Sequence, residues 1–266
     1  MFKRILSKKN RALLAELVRT DFKLRYQGSV LGYAWSLLQP LFFFLILYFV
    51  FSYLKVSKGI PHYSIYLLIG IVIWNFFREM SSQSITSIVA RGDLIRKIRI
   101  PRWIIILSSS ISAVISLAFN LVIIGIFLVV THVVPLSTVI WLPLILIEVY
   151  IFALGISLFL SAAFVKYRDV SYIWDVLMQG GFYLTPIIYP ITKIPNETVQ
   201  KLIMINPMSQ AIQDARYSMV WHGVQTTPDT FNGGWYKFVP FIIVVVFFVI
   251  GLRYFRSQSK YFAENI

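Results

Sequence analysis

The chain has 266 residues, 58% of them hydrophobic and only 14% charged, with a mean hydropathy of +0.74. A water-soluble domain carries roughly 45–50% apolar and about 25% charged residues, so one soluble core cannot hide this much apolar surface; a soluble enzyme and a disordered chain are both excluded. A net charge of +14 with no cysteine points to the positive-inside bias of a membrane protein and removes disulfides, thiol catalysis and cysteine metal sites.

The first 26 residues lack an uninterrupted apolar core and do not read as a cleaved signal peptide. Within them, residues 8–25 have the pattern of an amphipathic helix. Leu13, Leu14, Leu17, Val18 and Phe22 fall on one face, with basic residues interleaved. Such a helix lies flat on anionic lipid or forms a collar that grips a cytoplasmic partner.

Six apolar stretches follow, near the roughly 20 residues a transmembrane helix requires. They are 31–54, 65–90, 103–130, 139–165, 170–189 and 238–255. The second ends in SSQSITSIVA, polar enough to line a cavity or to leave the bilayer early. Arg78 and Glu79 in the second stretch, Glu148 in the fourth and Asp175 in the fifth are the charges inside spans; such residues are functional candidates because their solvation cost has to be offset.

Lysine and arginine settle the orientation. The segment before the first stretch, the second-to-third and fourth-to-fifth connections and the tail together hold roughly three times as many as the opposite side, which places both termini in the cytoplasm. Between the fifth and sixth stretches, residues 190–237 are too long for a turn and too short for a domain. Residues 194–206 and 207–222 read as two short helices broken at Asn206–Pro207, since proline suits a first helical position. Their partly apolar faces predict a re-entrant hairpin in the outer half of the bilayer, followed by a loop. The fold class is therefore an all-α membrane protein with six transmembrane helices, an interface helix and a re-entrant hairpin, in a single domain spanning 1–266.

Catalytic signatures are missing. No G-x-x-x-x-G-K-[ST] phosphate loop and no HExxH occurs, and His62, His132 and His222 are too dispersed for metal-ligand spacing. No catalytic residue, metal site or cofactor is assigned to the chain, and no nucleic-acid partner. Aromatic residues are abundant. Tyr33, Trp35, Phe42 and Tyr48 on the first span, and Tyr172, Trp174, Phe182 and Tyr183 on the fifth, are candidates for lining a channel through which a glycan slides, because tyrosine and tryptophan combine a flat apolar face with a polar handle. Core packing and the interfacial aromatic belt are the competing uses of such residues.

Several stretches resemble a known family. RYQGSVLGYAWSLLQP (25–40), GDLIRKIRIPRW (92–103), KYRDV (166–170), FYLTPIIYP (182–190) and NPMSQAIQDAR (206–216) are similar, in order and over nearly the whole chain, to ABC exporter permeases that move polysaccharides and polyol phosphates. That family often has a more neutral or aromatic residue near Arg99. The resemblance implies a half-transporter: a homodimer of this chain with two copies of a separate nucleotide-binding ATPase, which carries the ATP and magnesium. It implies a coupling segment at 92–101, with Asp93, Leu94, Ile95, Arg96, Lys97 and Arg99 seated on the ATPase, and a gate hairpin over the outer exit. The cargo would be a polyprenyl-linked O antigen, capsule or teichoic-acid-type polymer leaving across the bacterial cytoplasmic membrane, with Arg25 and Arg216 as candidates for its lipid phosphate at the inner and outer levels. An ABC permease for small amphiphiles or drugs, a polyprenyl-phosphate membrane enzyme and a passive channel are the alternatives.

Overall fold

The structure, a computed structural model, describes residues 8–25, 32–54, 59–93 and 101–262. Every regular element among the described residues is helical. The α-helices are α1 (Lys8–Arg25), α2 (Trp35–Tyr53), α3 (Tyr63–Ser87), α4 (Trp103–Val130), α5 (Leu142–Lys166), α6 (Val170–Leu184), α7 (Glu197–Ile205), α8 (Pro207–Met219), α9 (Thr227–Thr230) and α10 (Val239–Gln258). Short 3-10 turns at Ser137–Trp141 and Trp235–Phe238 lead into α5 and α10.

Among the described residues, four segments are long and apolar enough to cross a bilayer: Tyr63–Ser87, Trp103–Val130, Ser137–Lys166 and Trp235–Gln258. The other two expected spans are helices as well, but shorter. The apolar part of α2 is Leu37–Tyr53. The 15 residues of α6 rise about 22 Å, against about 30 Å of hydrocarbon. The expectation of one helix over 170–189 is corrected here. The helix stops at Leu184 because Pro186 pushes Thr185 out of the helical region, and Thr185 is extended (ψ 136°).

α3 is the hub. Eighteen of its positions, from Tyr63 to Ser87, are buried; α4 and α5 flank it, and α2, α6 and α8 also pack on it. Small side chains allow the close approach that membrane helices favour. Ser108, Ser110 and Ser112 on α4 and Ser81 and Ser84 on α3 are buried and donate back to carbonyls three or four residues earlier, so their hydroxyls need no partner from the next helix. Ser157 of α5 donates to the Met80 carbonyl of α3 at 3.2 Å.

The α5–α10 contact is closer still. A Cβ on Gly251 would lie 2.0 Å from the Gly155 carbonyl oxygen, and one on Gly155 would lie 2.6 Å from the Phe248 Cα. The two backbones touch, and only glycine fits at the crossing.

The short helices α7 and α8 begin as their capping residues dictate. The Asn196 side chain accepts from the amides of Thr198 and Val199. Asn206 accepts from the Met208 amide at 3.0 Å, and Pro207 takes the first position of α8, where its missing N–H costs nothing. The expected break at Asn206–Pro207 is present. α8 is no surface lid, however: from Pro207 to Met219 all but Asp214 and Tyr217 are buried, against α3, α5 and α10.

Candidate substrate passage

A cavity of about 680 Å³ opens between α2, α3, α4 and α6. Its rear wall is a polar stripe on the otherwise apolar α3. Asn75, Arg78, Glu79, Ser82 and Gln83 recur at helical spacing and therefore share one face. α2 adds Trp35, Gln39 and Phe43, α4 adds Ser116 and Asn120, and α6 adds Asp175.

The polar atoms differ in how they are held. Glu79 Oε1 accepts from Gln83 Nε2 at 3.0 Å and from Ser116 Oγ at 2.9 Å, tying α3 to α4. Asn120 Nδ2 donates to the Ser116 carbonyl, while Asn120 Oδ1 and Ser82 Oγ are buried with no partner among the described residues. Arg78 is exposed. Amides, hydroxyls, carboxylates and the indole of Trp35, which is 41% exposed, are groups that bind and release hydroxylated ligands.

The candidate aromatic residues divide. Trp35 lines the cavity. Phe42, Tyr48, Tyr172 and Tyr183 are exposed. Trp174 and Phe182 are buried: Trp174 Nε1 donates to Ser81 Oγ at 3.1 Å, and Phe182 packs on Phe43 and Trp74. Those two are structural within one chain. Of Tyr33 and Arg25 only the backbone is described. Asp93 is exposed; Leu94, Ile95, Arg96, Lys97 and Arg99 lie outside the described residues.

Both flanks of residues 92–101 are tied down. On one side Arg91 pairs with Asp21 of α1. On the other, Arg102 donates to the Ser259 carbonyl and sits over the ring of Phe262. Phe262 is 1% exposed and joins Ile88, Ile105 and Phe255 in a small second core. The interface helix and the C-terminal tail thus meet at the two ends of 92–101.

Arg216 is not at a lipid-facing surface. It is fully buried, and all three of its guanidinium nitrogens donate within the chain. Nε donates to the Tyr66 carbonyl (2.9 Å), Nη1 to the Pro186 carbonyl (2.6 Å) and Gln213 Oε1 (2.9 Å), and Nη2 to the Ile187 carbonyl (2.6 Å). The Tyr66 ring lies 3.5 Å from its central carbon. The physical reason is the broken end of α6. Thr185 to Ile188 are buried with no helical partners for their carbonyls, and such groups need donors. Arg216 serves two of them and Tyr63 Oη serves Ile188 at 3.0 Å. The expectation that Arg216 meets a lipid phosphate is replaced by this role.

A second buried polar group joins α5 to α8. Gln210 Nε2 donates to Asp214 Oδ2 at 2.6 Å and approaches Glu148 Oε2 at 3.4 Å. Burial pushes the Asp214 carboxyl up to about 6, a rise that the Gln210 hydrogen bond opposes and nearby Asp229 reinforces. Among the described residues no group of three or more His, Cys, Asp or Glu could hold a metal ion. His62 and His132 sit in left-handed turns, and His222 bonds Thr138.

The family model described as ABC-2 type transporter matches residues 12–220. The chain belongs to the ABC-2 type transporter family. Similar proteins bear out the resemblance seen in the motifs. The chain is 31% identical to the O-antigen export system permease protein RfbA of Klebsiella pneumoniae, over 95% of this chain and 94% of that one. It is 27% identical to the protein of that name in Myxococcus xanthus, over 74% and 76%, and 23% identical to the polysialic acid transport protein KpsM of Escherichia coli, over 90% and 91%. An ABC-2 permease with this set of apolar helices is an integral membrane protein.

Proposed function

We propose that this chain is the transmembrane subunit of an ATP-driven exporter that moves a polyprenyl-linked polysaccharide across the bacterial cytoplasmic membrane. The observation that carries the reading is the polar, aromatic-edged cavity between helices that are otherwise apolar. Membrane helices admit such groups where they face a protein interior or a wet path, and hydroxyl-rich chains are what amides and aromatic faces accommodate. The names of the relatives, O-antigen export and polysialic acid transport, give the class of cargo.

In this reading α2 and α6 are the first and fifth of six spans. The irregular segment 185–189 completes the fifth crossing, which is tolerated because protein surrounds it. Two copies of the chain enclose the path. Two ATPase chains, which hold the ATP and magnesium, dock from the cytoplasm on 92–101 and α1. Their closure moves the base of α3 and α4, and the pairs Arg91–Asp21 and Arg102–Ser259 carry that movement into the interface helix and the tail. The hairpin of α7 and α8 stands at the outer exit, and both termini are cytoplasmic.

The test is deletion of the gene, followed by complementation. Loss of surface polymer, its recovery with the wild-type chain and co-purification of an ATPase are expected. Arg96→Glu is expected to insert normally but not restore export. Surface polymer that persists after deletion would overturn the assignment, and a small amphiphile accumulating instead would turn it to the drug-type permease.

A further inference from the structure

A second, smaller pocket of about 150 Å³ lies at the end of the bundle that carries α7–α9, away from the passage. At about 30 Å³ per water, it has room for about five waters, the bulk of one sugar ring. Its lining includes Trp221, Tyr66, Gln213, Gln225 and Lys193. None of these has a role in the passage described above.

The composition of this lining is specific. Trp221 is 39% exposed and offers an aromatic plate. Gly223 lies flush against that indole, since a Cβ there would fall 2.2 Å from the ring. Tyr66 is 2% exposed, and its hydroxyl is buried with no partner among the described residues. A buried hydroxyl left unpaired is a cost that a ligand can relieve.

The two amides are already oriented. Gln213 Oε1 accepts from Arg216, and its Nε2 donates to the Gln225 carbonyl at 3.3 Å. Gln225 Nε2 donates to Gln200 Oε1 at 3.3 Å. A site whose polar groups are fixed by neighbours loses little freedom when it binds. Phosphate would call for convergent cations, and this lining offers one, Lys193. An acyl chain would call for a wholly apolar lining, whereas here Ile60, Ile191 and Val224 share the wall with two amides and Lys193. One aromatic face, neutral amides and an unpaired hydroxyl fit a neutral pyranose, whose C–H face stacks while its hydroxyls bond.

We infer that this pocket binds a single sugar unit of the exported polymer at the outer mouth, with Trp221 as the stacking plate and Tyr66, Gln213 and Gln225 as hydroxyl partners. The site rests on the export reading for its role, but its binding can be measured apart from export. The experiment is saturation-transfer NMR on the full chain with its ATPase in lipid nanodiscs, probed with the methyl glycosides of glucose, galactose, mannose, rhamnose and N-acetylglucosamine.

At least one glycoside is expected to receive saturation. Trp221→Ala is expected to weaken that signal at least about tenfold and Tyr66→Phe about threefold, with unchanged melting temperatures. Tyr66→Phe removes one oxygen and keeps the ring against Arg216, so it serves even where Trp221→Ala fails to fold. No transfer to any glycoside, or transfer unaltered by Tyr66→Phe and Trp221→Ala, overturns the site. Silence of the probes while gene deletion abolishes surface polymer refutes the pocket alone; surface polymer that survives deletion refutes the export reading, whatever the probes show.

Discussion

Arg216 and Arg78 carry the same guanidinium into opposite surroundings. Arg216 is fully buried, with four hydrogen bonds and an aromatic face. Arg78 is exposed on the wall of a polar cavity, and none of its side-chain nitrogens has a hydrogen bond or ion pair with another described residue. A charge whose every nitrogen donates to the chain itself belongs to the architecture. A charge left open beside amides and carboxylates, on a helix buried on its other faces, belongs to whatever passes. Residue type and sequence neighbourhood do not separate the two cases; surroundings do.

The most severe way to break this comparison is Arg216→Met. The carbonyls of Pro186 and Ile187 would lose their donor in a buried site, at about 1–3 kcal/mol for each unsatisfied group, and that of Tyr66 would keep only its helical one. We expect little folded protein in membranes, read by abundance and by thermal unfolding in detergent. Arg216→Lys is expected to recover only part, because one ammonium cannot reproduce the planar fork. Near-normal folding of Arg216→Met would remove Arg216 from the architecture.

A smaller effect approaches the same clamp from the other side. A Cβ on Gly70 would fall 2.5 Å from Arg216 Nη2 and 3.2 Å from Ile187 Cγ2. Gly70→Ala is therefore expected to cost about 1–3 kcal/mol, the range of overpacked cores. Gly125, also in a helix, has nothing within 4 Å of an added Cβ, and Gly125→Ala is expected to be neutral or slightly stabilising. Equal melting temperatures for the two variants would mean that Gly70 does not make room for the guanidinium.

Much of the fold was legible in the sequence because its signals are local. The apolar runs, the Asn206–Pro207 break and the extent of the amphipathic helix each depend on a few adjacent residues. The end of α6 was missed even though its cause, Pro186, is equally local, because the apolar run FYLTPIIY continues through it. The site was harder to read. The polar stripe of α3 was half visible, since SSQSITSIVA reads as cavity-lining, yet Asn75, Arg78 and Glu79 at the same spacing complete it. The role of Arg216 was not legible, since it depends on carbonyls about 30 and 150 residues away in sequence. Trp174 and Phe182 share residue class with their exposed neighbours Tyr172 and Tyr183, and a rotation of only one or two residues on a helix separates packing from exposure.

A further measure of the α8 region is its pH response. The Asp214 carboxyl titrates near 6 in the folded chain, above the roughly 3.9 of an unperturbed aspartate, so the folded state holds the proton more tightly. Its contribution to stability is full below about pH 4 and is lost as pH rises through about 6. Melting temperature is expected to fall over that window in the wild type and to lose that component in Asp214→Asn. A titration indifferent to Asp214→Asn would show that α8 packs on α5 without help from this proton.

The smallest effect on folding is expected where the effect on transport is largest. Arg78→Gln removes a charge with no bonded partner among the described residues from an exposed position, so its stability should lie within about 0.5 kcal/mol of wild type, as for surface changes away from such features. Transport should respond differently. A guanidinium beside Glu79 and Asp175 balances the cavity's negative charge, and without it the wall becomes uniformly acidic. Export measured by pulse-labelled surface polymer should slow, most for an anionic polymer that the carboxylates repel. Asp175→Asn in the same background should restore part of the rate, because it removes one of those carboxylates. Full export by Arg78→Gln, or a loss that tracks protein abundance, would return Arg78 to the same class as Arg216 and erase the distinction between the two.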